Sequence, residues 1–522
     1  MNNMKMNWDK LLCSKRVSEF CNLSNPKKSQ FVDPRSPFEK DCDQIIYSYP
    51  FRRLQDKTQV IPFPKFDFVH TRLTHSLEVS TIGRSFGKMA YEIIKDEITD
   101  KNITAADIGA LVAASCYAHD IGNPPFGHSG EDSISIFFDE GPADVGMYFD
   151  HYYKYFHEED DYKLSDRWGE KVHLLEFQDK AKINQEAIES SKLFYDLQKF
   201  EGNANGFRIM TTNCGKGINP TYALLGVFSK YPRESFVEED LSLSYKRKEA
   251  PKHLSKYGFF QAEKQMFKEI AENLGLIKAS KNPQDLAYCR HPLAYLMEAA
   301  DDIAYQMIDF EDGCRLDLIH YHEKYYGKTP KEVLIQIAEI DQRFSINHLN
   351  ELCQDGDKTN ELSYLRSGVI NTLIHLCFEV FKDNYDLIMS GKFNSSLIEE
   401  IKNQSIQDGL KYMRKLIVEN VYEYRPVLAS EAAGFEVLEG LIYSFAKSAK
   451  LCVSCGDRRN AKEEKIEKLI PKEYRPKDEI DSGIVKPEEV YQRYLNITDY
   501  ISGMTDGYAL NLYKQIKGIN IN

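Results

Sequence analysis

Positive charge is scarce in this chain. Its 67 Lys and Arg stand against 80 Asp and Glu, a formal net charge of −13 over 522 residues. No general electrostatic attraction to nucleic acid follows from that balance, and an anionic substrate would need a local trap. Long apolar runs are missing as well. No stretch approaches the roughly 18 residues of a membrane span, and the N-terminus, MNNMKMNWDKLLCSKRVSEF, lacks the apolar segment and cleavage site of a secretory signal. A cytoplasmic protein without membrane contact is expected. Cysteine is sparse, 11 in all and odd in number, which suits reduced thiols better than a disulfide framework. Cys452 and Cys455 form a CxxC with no second Cys or His pair nearby, so they are read as incidental thiols rather than half of a zinc site. Strand-like alternation is rare, and there is neither an internal repeat nor a βαβ rhythm.

Apolar residues make up 42% and charged residues 28% of the chain, with a mean hydropathy of −0.49, which fits a globular protein with a real core. Helix signals dominate. In AADIGALVAASCYAHD, Ile108, Leu111, Val112, Ser115, Cys116 and His119 form one helical stripe ending in a histidine. Gly122, Pro124 and Pro125 then stop the helix, which places His119 and Asp120 at its C-terminus against a rigid loop. His75, Val79, Ile82 and Phe86 share another helical face, and HPLAYLMEAADDIAYQMIDFEDG reads as a long helix on which Asp301, Tyr305 and Asp309 point the same way. Past residue 330, Val369, Leu373, Leu376 and Val380 continue the amphipathic pattern. The expected fold is all-α, with minor β elements. Residues 135–200 look like an insertion, and 451–490 like a charged surface loop or flap.

His75, His119, Asp120 and Asp301 are candidate ligands of one divalent cation. Two imidazoles and two carboxylates suit a hard or borderline ion and leave positions open for water and a phosphate oxygen. Taken singly, each has a plain structural reading, and Asp302 competes with Asp301, the two standing about 100° apart on a helix.

The neighbouring motifs carry a family resemblance. The order H…HD…D, with RLTHSLEV around His75, YAHDIGNPPFGHSGE around His119 and MEAADDIAY around Asp301, resembles the HD-domain superfamily, and closely its dGTPase branch of deoxynucleoside triphosphate triphosphohydrolases. FRRLQDKTQV, EGNANGFR, KYP and DYISGMTDGYAL are similar to further segments of that branch, in its order. The resemblance runs from about residue 45 to 515. It implies an N-terminal segment (1–45), an HD-domain catalytic core (46–330), and a helical C-terminal region (331–522) that completes the site and makes oligomer contacts.

The implied activity is metal-dependent hydrolysis of a dNTP, dGTP by preference, to deoxynucleoside and inorganic triphosphate. Mn²⁺ or Mg²⁺ is the first choice of metal, with Fe²⁺ or Co²⁺ as others. The resemblance makes His128 and Glu131 a catalytic pair whose division of acid, base and orienting roles stays open; the plain alternative is a helix start with Ser129 as N-cap. Arg72, Lys230 and Lys256 are candidate triphosphate cations, each with an ion-pair alternative. Arg208 is either another or a partner of Glu201. Asn203 between its flanking glycines brings backbone to the substrate or makes a tight turn. Gln59 and Asp309 match contacts to the sugar 3′-hydroxyl, and Val60 and Tyr305 match residues packed where a 2′-hydroxyl would clash. The resemblance also implies a homo-oligomer, hexamer or tetramer, with single-stranded DNA or a nucleotide as a candidate effector. Two other functions stay open: an HD-superfamily phosphodiesterase or (p)ppGpp hydrolase, and a non-catalytic DNA-binding or nucleotide-sensing regulator.

Overall fold

The computed structural model describes residues 5–21, 33–62, 68–140, 185–212, 217–237, 256–354, 358–448, 461–475 and 487–519. Most of the expected insertion (141–184), much of the charged 451–490 stretch, and Cys452 with Cys455 lie outside these. Regular structure among the described residues is helical, and the fold is all-α. In place of a sheet there are isolated β-bridges, such as Thr58 with Thr71 and Arg233 with Ala287.

The helices that build the site are α1 (Pro37–Tyr47), α2 (Arg72–Ile94), α3 (Ala105–Ala118), α4 (Gly127–Glu140), α5 (Gln185–Gln198), α6 (Gly202–Thr211), α7 (Tyr222–Phe228), α8 (Pro292–Arg315), α9 (Lys358–Asp383), α10 (Arg425–Ser448), α11 (Pro487–Ser502) and α12 (Asp506–Lys517). Their starts follow local chemistry. Thr71 caps α2 in a reciprocal box with Thr74, Thr104 does the same for α3 with Asp107, and α8 opens with Pro292 behind the capping His291 side chain.

Helices α2 and α3 lie nearly backbone to backbone. A Cβ on Gly87 would stand 2.8 Å from the Gly109 Cα, so only glycine permits the approach. The two helices pack along their lengths in opposite directions, which sets His75 at the start of α2 beside His119 at the end of α3, and α8 packs across both. Val79, Ile82, Phe86, Leu111, Ile303, Leu373 and Val380 belong to one apolar core. A second core joins Ile134 and Phe138 of α4 to Leu441 and Phe445 of α10, Tyr494 and Leu495 of α11 and Leu512 of α12. The predicted ligands lie on or at the ends of helices of the first core, and His128 and Glu131 lie on α4 of the second. Cys13, Cys42, Cys116, Cys289, Cys314 and Cys377 are free thiols, whereas Cys21 is disulfide-bonded, against the expectation of reduced cysteines throughout. A bridge depends on Cα separation in the fold, which sequence spacing does not reveal.

Candidate metal centre and catalytic turn

One ligand atom from each of His75, His119 and Asp120 falls within 4.8 Å of the others, and all three residues are buried. His119 Nδ1 faces the Cys116 carbonyl at 2.7 Å. A carbonyl only accepts, so Nδ1 carries the hydrogen and the lone pair of the neutral ring is left on Nε2. That Nε2 lies 3.2 Å from His75 Nε2, 3.4 Å from Asp301 Oδ1 and 3.5 Å from Asp120 Oδ1. His75 Nε2 lies 3.1 Å from the same Asp301 oxygen. Thus Asp301, rather than Asp302, is the carboxylate against the imidazoles. His119 Nε2 faces two carboxylate oxygens as acceptor to acceptor, and with His75 Nε2 unprotonated as well a shared cation satisfies the whole group. Ligand atoms about 2.1 Å from one ion stand about 3 Å apart when they meet near a right angle, close to the spacings found here. The donor set therefore fits a divalent metal.

The charge around the cluster is balanced from outside. Arg72 Nη1 binds Asp120 Oδ2 at 2.7 Å, and Lys230 Nζ binds Asp301 Oδ2 at 2.6 Å. Burial by itself pushes the Asp120 carboxyl up, but His119 when it carries a proton, together with Arg72, outweighs it and holds the group below the usual carboxylate range. Burial acts the same way on Asp301, where Lys230 wins and depresses the carboxyl strongly. Asn123 Nδ2 donates to Asp120 Oδ1 at 2.6 Å and completes the carboxylate's orientation.

After Asp120 the chain turns sharply. Phe126 and Gly127 both take left-handed φ angles, +63° and +61°, and launch α4. The helix starts at Gly127, so Ser129 sits in its first turn and is not its N-cap. His128 projects into solvent, with Nδ1 3.4 Å from Glu131 Oε2. That contact with Glu131 raises the His128 imidazole above its ordinary value. Glu131 is nearly buried, and its Oε1 accepts the Gly202 N–H at 3.1 Å. Behind Glu131 lies a second cluster, in which Asn203 Nδ2 and Lys256 Nζ both reach Glu201 Oε1, at 2.8 and 3.0 Å. Arg208 faces away from it and pairs with Glu263 and Asp499 instead of Glu201.

The sugar candidates fall on the other side. Tyr305 and Asp309 are joined by Tyr422, whose hydroxyl bonds the Tyr305 hydroxyl and donates to Asp309 Oδ2 at 2.5 Å. Burial pushes the Asp309 carboxyl up to about 7 even though the Tyr422 hydrogen bond acts to lower it. Gln59 and Val60 are half-buried, and Gln59 Oε1 is a buried acceptor without a partner.

The segments singled out in the sequence meet here. Lys57 Nζ donates to the Asn123 and Ser502 carbonyls at 2.5 and 2.8 Å. Asn205 Nδ2 donates to the Gly122 carbonyl at 2.6 Å and to Ser502 Oγ at 3.1 Å. FRRLQDKTQV, HDIGNPPFGHSGE, EGNANGFR and ISGMTD thus form one hydrogen-bonded unit.

Comparison with known proteins agrees over the full length. A protein of Synechocystis sp. named deoxyguanosinetriphosphate triphosphohydrolase-like protein is 36% identical over 527 residues, covering 99% of this chain and 100% of that one. Proteins of the same name from Listeria monocytogenes and Pseudomonas aeruginosa are 33% and 32% identical, the matches covering 99% and 98% of this chain and 100% and 99% of theirs. The chain belongs to the deoxyguanosinetriphosphate triphosphohydrolase-like family. Residues 402–515 match a family model, the phosphohydrolase-associated domain. In this member of the triphosphohydrolase-like family, that domain holds Tyr422, which meets Tyr305 and Asp309 of α8, and Ser502 and Asp506, which meet Lys57, Thr58, Phe126 and Asn205. No described helix is long and apolar enough to cross a membrane.

Lys57, Asn123, Tyr422 and Asp506 are site residues that sequence reasoning missed. Three of them lie inside the motifs already singled out; Asn123 is in HDIGNPP, Lys57 in FRRLQDKTQV and Asp506 in ISGMTD. Each works through main-chain groups or another side chain, which spacing does not display. Tyr422 had no comparable signal, since nothing in NVYEY marks it.

Proposed function

We propose that the protein is a metal-dependent dNTP triphosphohydrolase that takes dGTP first among the dNTPs and releases deoxynucleoside and inorganic triphosphate. The observation that carries this reading is the convergence of ring nitrogens and carboxylate oxygens of His75, His119, Asp120 and Asp301, with Arg72 and Lys230 on the outer carboxylate oxygens. In it, Mn²⁺ or Mg²⁺, with Fe²⁺ or Co²⁺ acceptable to the same mixed donors, supplies Lewis-acid polarisation of an α-phosphate oxygen and acidifies the attacking water.

The residues of the chain do the rest. Water adds to the α-phosphorus, the bond from phosphorus to O5′ breaks, and the leaving oxygen takes a proton from His128 while Glu131 orients that imidazole or receives the proton of the water. Arg72, Lys230, Lys256 and Asn203 receive the triphosphate; each is already held by a carboxylate, so the incoming anion competes for or shares pre-placed cations and donors. Gln59 and Asp309 meet the 3′-hydroxyl, for which the unpaired Gln59 Oε1 is a waiting acceptor. Val60 and Tyr305 close the space at C2′, where a ribose oxygen would be rejected. The assembly that goes with this reading is a hexamer or tetramer, to be read by light scattering.

Incubation with each dNTP and with GTP, in Mn²⁺ or Mg²⁺, tests the reading when nucleoside and tripolyphosphate are resolved. Deoxyguanosine with intact triphosphate is the expected outcome. Pyrophosphate with nucleoside monophosphate would reject it.

A further inference from the structure

Asp506 lies at the start of α12, at the far end of the chain from the metal ligands, and its side chain is almost fully buried at 2% exposure. Its two carboxylate oxygens accept from two backbone amides of different segments. Oδ2 takes the Thr58 N–H at 2.9 Å, and Oδ1 takes the Phe126 N–H at 3.0 Å. Thr58 directly precedes Gln59 and Val60, the residues assigned to the sugar. Phe126 directly precedes Gly127 and His128, the start of the catalytic turn. One carboxylate therefore ties the two walls of the proposed pocket by their main chains, over sequence separations of 448 and 380 residues.

The surroundings require such a tie. Phe126 holds a left-handed φ of +63°, a conformation that costs a non-glycine residue about 1–3 kcal/mol and persists only where neighbours impose it. Asp506 supplies one constraint. The other is packing by α10, where a Cβ at Gly434 would come within 2.9 Å of the Phe126 Cβ. Lys57, whose ammonium burial lowers to about 7 against the opposing effect of Asp506, fastens the same two segments through the Asn123 and Ser502 carbonyls.

We infer that Asp506 is a positioning residue that sets the sugar-binding segment (58–60) and the catalytic turn (126–128) in register. The inference rests on the hydrolase reading for its kinetic consequence only, since the bridge itself is a matter of geometry. It gives the phosphohydrolase-associated region a specific part in the site: α12 closes it.

The test compares the full-length protein with Asp506→Asn, in which the amide can accept from one of the two N–H groups but not both. Hydrogen exchange is followed by mass spectrometry on peptides covering 55–62 and 120–131, together with kcat and KM for dGTP and GTP and the affinity for Mn²⁺ alone. The expected result is faster exchange in both peptides, Mn²⁺ affinity within twofold of wild type, and a ratio of kcat/KM for dGTP over GTP reduced about tenfold. A simple loss of folded protein lowers activity but leaves that ratio unchanged, so an unchanged ratio overturns the inference, as does faster exchange in only one peptide or in neither. If the wild type hydrolyses no dNTP, the hydrolase reading falls and the exchange data alone decide the bridge. If Asp506→Asn does not fold, the wild type still decides it: the Thr58 and Phe126 amides must be protected alike, and one fast beside one slow overturns it.

Discussion

The Glu131 carboxylate accepts a hydrogen bond from the backbone N–H of Gly202, 71 residues later in the chain. The contact explains the glycine. A Cβ at position 202 would overlap Glu131 Oε1 and Asn123 Oδ1 together, and a Cβ at Gly122 would run into the backbone of Gly202 and Gly206. The two most distinctive motifs, HDIGNPPFGHSGE and EGNANGFR, are halves of one packed contact. Gly202→Ala should displace Glu131 or Asn123, cost about 1–3 kcal/mol by overpacking, and lower kcat/KM by more than about tenfold through misplacement. Thermal denaturation and steady-state kinetics on dGTP measure the two effects, and wild-type values in both would show that the contact is slack.

His128→Ala and Glu131→Ala should each lower kcat by about 10²- to 10⁴-fold, the usual worth of a placed acid or base. Neither residue lies among the metal ligands, so Mn²⁺ binding should survive both changes. Titration with Mn²⁺ beside turnover assays separates the two properties. Retained turnover would remove the assigned role.

Asn123 offers a test of the metal centre that leaves every ligand in place. Its amide orients Asp120 at 2.6 Å, and removal of such a support typically costs 10- to 100-fold in metal affinity or activity, so Asn123→Ala should weaken Mn²⁺ binding by about that range. Electron paramagnetic resonance of added Mn²⁺ reads the affinity directly. Chelation should abolish activity, and Mn²⁺ should restore it.

His70, just before α2, links α8 to α2. Its Nδ1 lies 2.8 Å from Asp312 Oδ1 and its Nε2 3.4 Å from Glu78 Oε1, while Arg366 pairs with the other oxygen of Glu78. Burial pulls the imidazole down, but the two carboxylates outweigh it and raise it to about 9 from an ordinary value of 6.5. A raised folded value means the cationic form favours the fold. Its contribution, about 1–3 kcal/mol, is fully present below about pH 6.5 and is lost as pH rises through 9. Unfolding by urea at pH 6, 7.5 and 9.5 should show wild type losing its advantage over His70→Asn across that window. Parallel curves for the two proteins would refute the linkage.

Much of the site could be read before the fold was known, for reasons that differ by residue. His119 and Asp120 announced themselves because an apolar stripe ending at a Gly and two prolines can only be a helix terminus. Asp301 separated from Asp302 only when α8 was seen to turn one carboxylate, and not its neighbour, toward the imidazoles. Arg72 and Lys230 were read as triphosphate cations, and the structure shows them paired with Asp120 and Asp301. A cation chosen by residue type is equally able to hold an anion of the protein, and distance alone tells which anion it holds. Ser129 is a plausible N-cap by type, but the left-handed pair Phe126 and Gly127 starts the helix three residues sooner.

By itself the sequence determined the helical class, the residues able to hold a metal and the family motifs, because periodicity, breakers and residue chemistry are local properties of a chain. The tertiary structure decided which of those residues meet, and it alone exposed Lys57, Tyr422 and Asp506. Lys57 and Asp506 act on main-chain carbonyls and amides 66 to 448 residues away, and Tyr422 on side chains 117 and 113 residues away. Main-chain groups are the same at every position, so no pattern of side chains can say which of them will be held.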